Sequence, residues 1–255
     1  MPRPLLNPPC TGWIEDLLHP DVPPSIETSL GNQNPNHQDL IYLELPRTLG
    51  WAREIIAFLS FPTVVVSLLP LSFIGSNLEH RDFESLLLNI FAAVCGIWMF
   101  IVSLRVSVSP PRDEPLRFNR ARGKMYAYNF KYCWWNPFRN WKVETACYDW
   151  SQVRAERWSQ NGVLPNGGVI IKWGVMLSIV APGTNNVIDR FPLGMMADQH
   201  TWAYICTYMQ QGPSALPPPG EPKDHNDVLW CEFALRLAPR VEWPAEMDLE
   251  SRTAP

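Results

Sequence analysis

Residues 55–74 read IIAFLSFPTVVVSLLPLSFI, and residues 86–104 read LLLNIFAAVCGIWMFIVSL. The first run carries no charged side chain, and Asn89 is the only amide in the second. At 1.5 Å per residue each run is roughly 30 Å long as a helix, the hydrocarbon thickness of a bilayer. One such run could be a buried core helix. Two of them, joined by a segment with Glu79, His80, Arg81, Asp82 and Glu84, do not fit inside a soluble domain and predict a transmembrane hairpin. A signal peptide does not fit, because more than fifty residues precede the first run and the second follows at once. Pro62 and Pro70 interrupt the first run. Each removes a backbone hydrogen bond, so a kink or an early helix end is expected there.

The flanks orient the hairpin. Arg47 and Arg53 precede the first span, Arg81 is the only Lys or Arg in the connection, and Arg105, Arg112, Arg117, Arg120, Arg122 and Lys124 follow the second. Loops enriched in Lys and Arg stay in the cytoplasm, so both termini and the soluble domain are expected there, with Arg105, Arg112 and Arg117 as the membrane-anchor flank. Anionic lipid explains such a flank without a ligand. Trp51 is a candidate interface anchor, whereas Trp98 lies well within the second span. Ala92, Ala93 and Gly96 give the second span a small-residue face, for the first span or for a second copy. Neither span holds an ionisable side chain, which leaves a proton path or ion relay without groups.

Hydrophobic residues make up 46% of the chain and charged residues only 18%, low for a soluble domain. The 26 prolines gather at residues 2–24, 110–115 and 213–222, marking linkers and extended coil. A net charge of -4 argues against nucleic acid as a partner. The six cysteines form no CxxC, and read as free buried thiols of a reducing compartment.

These shifts divide the chain into four parts. Residues 1–50 are proline-rich, with a short amphipathic stretch at 11–18 (TGWIEDLL), read as a helix, and one strand at 40–45 (LIYLEL). Residues 51–108 are the hairpin. In residues 109–212 the period changes to two. PLRFNR and KMYAYNFK read as strands around a turn at Gly123, followed by KVETACY, QVRAERW, VIIKWGVMLSIV and NVIDRFPLG, with a bulge or break expected at Gly174. Residues 195–211 then read as a closing amphipathic helix with Met195, Trp202, Ile205 and Met209 on one stripe. The last part, 213–255, reads as a proline-rich linker, a helix at 226–237 docked by Val228, Leu229, Phe233 and Leu237, and a disordered tail from 244. The fold class is α+β: a membrane hairpin followed by a mainly antiparallel β domain with a closing helix. That order suits a pleckstrin-homology-like sheet or another α+β arrangement.

No HExxH, G-x-S-x-G, Walker loop or G-x-G-x-x-G pattern occurs, so no metal or cofactor is expected and catalysis is not. Asp198 and His200 stand two apart on a helix, which faces them differently and makes them a surface feature. The unusual segment is KYCWWNPFRNW (131–141). Trp134, Trp135, Phe138 and Trp141, with Arg139 as polar clamp, could bind a protein partner. They could equally meet lipid headgroups, or pack as the private core of an irregular insertion.

The runs RFNRARGKMYAYNFK (117–131), ETACYDWSQVRAERW (144–158) and VIDRFPLG (187–194) resemble a family of proteobacterial membrane proteins with two membrane helices and a pleckstrin-homology-like domain, encoded beside type VI secretion effectors. The likeness spans about residues 40–210. It implies an immunity protein at the bacterial inner membrane, which binds a co-encoded cognate toxin and neutralises it without catalysis. The alternative is an inner-membrane lipid-binding or scaffold protein using the basic flank and aromatic insertion.

Overall fold

The structure, a computed structural model, describes residues 3–31, 33–48, 50–133, 136–163, 168–195, 197–222 and 224–255. The five-stranded antiparallel sheet has the order β2 (His37–Gln38), β3 (Tyr42–Leu45), β4 (Leu116–Asn119), β5 (Lys124–Lys131) and β6 (Lys142–Asp149). A second, four-stranded sheet has the order β1 (Trp13–Asp16), β7 (Val153–Val163), β8 (Val169–Val180) and β9 (Val187–Pro192). Their inner faces enclose a core of Leu43, Leu116, Phe118, Met125, Val153, Leu177 and Ile179, closed by helix α4 (Gln199–Gln211). The β4–β5 turn has Gly123 at φ +61°, a left-handed conformation that favours glycine.

The apolar hairpin lies in sequence between β3 and β4, and those strands are antiparallel neighbours with Leu45 opposite Leu116. The chain therefore leaves the sheet and returns to the same place. Helix α1 (Gly50–Leu68) absorbs Pro62; the expected break falls at Pro70, in a 3₁₀ turn (Leu69–Phe73) leading into α2 (Ile74–Glu79). Asp82 accepts from the Ser85 amide and starts α3 (Phe83–Val108). Only 17% and 6% of the most apolar stretches of these helices are buried, so they are not core helices. By length and composition both are able to cross a membrane.

Small residues let the two helices meet. Ala57, Ser60 and Ser67 on α1 and Ala93 on α3 are buried, and a β-carbon on Gly96 would come within 2.1 Å of the Ser67 β-carbon. Of the two uses open to the small-residue face, contact within the hairpin is the one Ala93 and Gly96 serve.

A polar knot ties the hairpin to the domain. Arg53 donates to the carbonyls of Ser107, Pro110 and Pro111, at the end of α3 where carbonyl acceptors are left without helical donors. One Asp113 carboxylate oxygen accepts from the Arg47 and Thr48 amides and from the Thr48 hydroxyl. The Arg47 side chain, itself buried, donates to Glu114, Asn129 and the Tyr128 carbonyl.

Three expected elements differ. Residues 11–18 form no helix: β1 extends the β7 edge, with Trp13 opposite Trp158, and Glu156 accepts from the Cys10 amide. Eight residues make a marginal helix, whereas an open strand edge offers partners at once. In 226–237 only Phe233–Leu237 is helical (α5), because the Asn226 side chain closes a turn against Val241 instead of capping a helix. Buried Ala234 and Leu235 dock it, while Leu229, Phe233 and Leu237 are exposed. The tail is ordered: α6 (Ala245–Arg252) packs on β4.

Two readings change in detail. Gly174 sits in unbroken register opposite Trp158, without a bulge. Met195 precedes α4 and is exposed, and α4 is buried nearly all round because the proline-rich segment covers its outer side. Trp202 donates to the Leu18 carbonyl, and Gln210 to those of Pro20 and Val22. Of the thiols, Cys10 and Cys206 are buried and Cys95, Cys147 and Cys231 exposed.

Replacing Gly96 with Val should destabilise the detergent-solubilised protein by about 1–3 kcal/mol through overpacking against Ser67. Gly75→Ala, where an added β-carbon meets nothing within 4 Å, should be neutral or slightly stabilising. Thermal unfolding of both variants checks the pair.

Candidate functional site

A cleft of about 1340 Å³ opens where the two sheets splay, beside the base of the hairpin. Arg47, Thr48 and Glu114, which flank the hairpin in sequence, line its inner end. One wall is the end of β5 at Phe130–Tyr132; the other is Trp158 on β7 with Ile171, Lys172 and Trp173 on β8. The α4 N-terminus and the loop around Leu30 complete it. Most of the wall is apolar, and Tyr132, Ile171 and Trp173 are each more than half exposed at its rim.

The first half of β8 is unusual. Its pairing with β9 begins only at Met176 opposite Pro192, whereas its pairing with β7 runs back to Val169. Among the described residues, Val169–Gly174 thus pairs on one side only. This edge borders the cleft.

Arg47, Glu114, Arg190 and Asp198 in the cleft lining have structural partners. Arg47 is held by Glu114 and stands 5.6 Å from the Phe191 ring centre. Burial pulls its guanidinium below the ordinary value, against the raising effect of Glu114 and Asp113. Burial pushes the Glu114 carboxyl up, with Arg47 opposing. Arg190 joins buried Glu156 and Ser178 behind the wall. Asp198 caps α4 by accepting from the His200 and Thr201 amides, and the His200 ring meets the Glu27 carbonyl at 2.9 Å. Asp198 and His200 therefore line the cleft but serve the helix end. Among the described residues, no group of three or more His, Cys, Asp and Glu side chains is placed to hold a metal ion.

The residues singled out in the sequence fall in several places. Trp134 and Trp135 lie outside the described residues. Trp141 is buried against Phe130 and Tyr132, as part of a private core. Phe138 is 71% exposed and packs edge-on against Trp98 of α3. The Arg139 carbonyl accepts from Arg105, whose guanidinium lies 4.8 Å from the Trp141 ring centre. Arg112 donates to the Asn226 and Leu235 carbonyls and so holds the segment around α5.

Arg117 is not on the surface at all. It is 1% exposed and paired with Glu44 and Asp248. The second Glu44 oxygen meets His225 at 3.0 Å. Burial pushes the Glu44 carboxyl up, but His225 and Arg117 outweigh it and hold the group below its ordinary range. Asn119, Arg122 and Lys124 add bonds to α6 and the residues after it.

The cleft itself was missed in the sequence, although a signal for it exists. Val169, Ile170, Ile171 and Trp173 are apolar on both strand faces, and all are exposed.

The chain belongs to DUF6708, a family of unknown function, which it matches over residues 93–255, from within α3 to beyond α6. No curated protein and no solved structure matches it.

Removing the Arg117 charge, as in Arg117→Met, should cost on the order of 3–5 kcal/mol by breaking the buried ion pair and leaving one buried Glu44 oxygen without its cation. Because the folded Glu44 carboxyl is held below its usual 4.5, its stabilising contribution is complete above that pH and falls away as pH drops through the folded value. Urea unfolding midpoints measured against pH should show this loss, flattened in Glu44→Gln.

Proposed function

We propose that the protein is a membrane-anchored immunity protein: the hairpin holds an α+β domain at the inner membrane, and the domain captures and neutralises a cognate toxic effector without catalysis. The observation that carries this reading is the cleft with its open β8 edge. A volume of about 1340 Å³ exceeds the roughly 300–1,000 Å³ of small-molecule pockets and suits an extended segment of another protein. The one-sided edge at Val169–Gly174 offers main-chain partners to such a segment, and the cleft supplies pockets for its side chains. Exposed Tyr132 and Trp173 are of the types that dominate protein interfaces.

Layout and charge support the same reading. Counting β3 as first, β3–β6 and β7–β9 followed by α4 make four strands, three strands and a closing helix, the plan of a pleckstrin-homology-like domain. The hairpin is then an insertion between the first two strands. The pairing of β3 with β4 supports placing both flanks of the hairpin on one side of the membrane, and their arginine excess favours the cytoplasmic side.

Co-purification of the full chain with the product of the neighbouring gene, and rescue of cells expressing that product, test the proposal. Trp173→Ala and Tyr132→Ala should each weaken the complex by on the order of 2 kcal/mol, about thirtyfold in Kd. Failure of both co-purification and rescue overturns it. Binding of anionic liposomes through the cleft would instead favour the lipid-binding or scaffold alternative.

A further inference from the structure

Two groups of exposed apolar side chains stand beside the hairpin. Trp230 is 86% exposed, and Leu229, Phe233 and Leu237 beside it are about half exposed or more. Phe138 is similarly bare. Both groups touch the hairpin. Phe233 packs edge-on against Phe61 of α1 at 6.1 Å between ring centres, and Phe138 against Trp98 of α3 at 5.6 Å.

These contacts occur at one depth. The apolar helices run 30 and 26 residues, roughly 45 and 39 Å long against about 30 Å of hydrocarbon. Counting about 20 residues, or about 30 Å, from the polar turn at Glu79–Asp82 reaches Leu59 on α1 and Val102 on α3. Phe61 and Trp98 lie just on the turn side of that level, about 3 and 6 Å inside it at 1.5 Å per residue. The rings of Phe233 and Phe138 therefore stand where hydrocarbon gives way to headgroups. The surplus length of the hairpin below that level is the part these two segments accompany.

Both segments are pinned there. The Glu54 carboxylate accepts from the Ala234 and Leu235 amides, and Leu235 packs on Gly50. Arg112 holds Asn226 and Leu235 from the α3 side. Arg105 holds Arg139 and stacks on Trp141. An apolar surface fixed this firmly beside water would be costly, whereas aromatic and Leu side chains at a headgroup boundary are stabilised.

We propose that residues 229–237 and 136–141 form a collar around the hairpin that inserts into the interface of the same bilayer and seats the domain on it. The inference rests on the hairpin being in the membrane, and the test separates the two. The full chain is placed in nanodiscs of phosphatidylethanolamine and phosphatidylglycerol containing a lipid with a photoactivatable diazirine near its headgroup. Adducts are then mapped by mass spectrometry. Adducts are expected on both collar segments as well as on hairpin residues near Phe61 and Trp98. They should disappear from the collar, but not from the hairpin, in Phe138→Asp/Trp230→Asp. Adducts confined to the hairpin overturn the collar alone. Collar adducts that persist unchanged in the double variant also overturn it, and a hairpin without adducts overturns the anchor and the collar together.

Discussion

The pairing of β3 with β4 constrains everything else in this protein. Antiparallel neighbours are ordinarily joined by a tight turn, and here the connection is a long apolar hairpin. Its two ends must return to positions one strand apart. The knot of Arg53, Asp113, Arg47 and Glu114 makes that geometry self-consistent. Buried guanidiniums need acceptors, and the carbonyls left over at the end of α3 need donors. Each deficit answers the other, so hydrogen bonds tie the two ends of the hairpin directly to the sheet.

The arginines around the end of α3 have partners within the domain. Arg105 fixes the aromatic insertion, Arg112 fixes α5, and Arg117 is sealed between Glu44 and Asp248. A guanidinium suits these tasks because its fork of donors reaches several acceptors in one plane. In sequence the three are indistinguishable, since a charge count reports residue type and spacing but not the partner. The pairing of Arg117 depends on Asp248 and Ser251, far along the chain in a tail whose composition suggests disorder.

The hairpin, β3, the β4–β5 turn and the closing helix were legible because each follows from local pattern: length of an apolar run, alternation, or a glycine at the turn. Elements fixed by distant partners were not. Residues 11–18 have helical amphipathicity, yet β1 forms because β7 presents an edge. Met195, Trp202, Ile205 and Met209 form a plausible stripe, but the burial of α4 on all sides depends on a proline-rich strap whose contacts no periodicity encodes. The aromatic insertion was visible as a whole, and its division between buried Trp141 and bare Phe138 was not, because that depends on which ring meets α3.

The position of the cleft follows from the same constraint. Arg47 and Glu114 at its inner end are also members of the knot, so the cleft opens beside the place where the chain enters and leaves the hairpin. Under the proposed function, the hydrogen bonds that hold the hairpin also hold the cleft beside the membrane. For an inhibitor of a toxin that enters through or acts on the membrane, such placement raises the encounter rate without any added affinity, by confining the site to the layer its target must cross. The open edge of β8 carries the same logic to the backbone. Among the described residues it pairs on one side only, because β9 ends at Pro192 opposite Met176. In the proposed function the hairpin, the cleft at its base and the one-sided β8 edge thus act as one device.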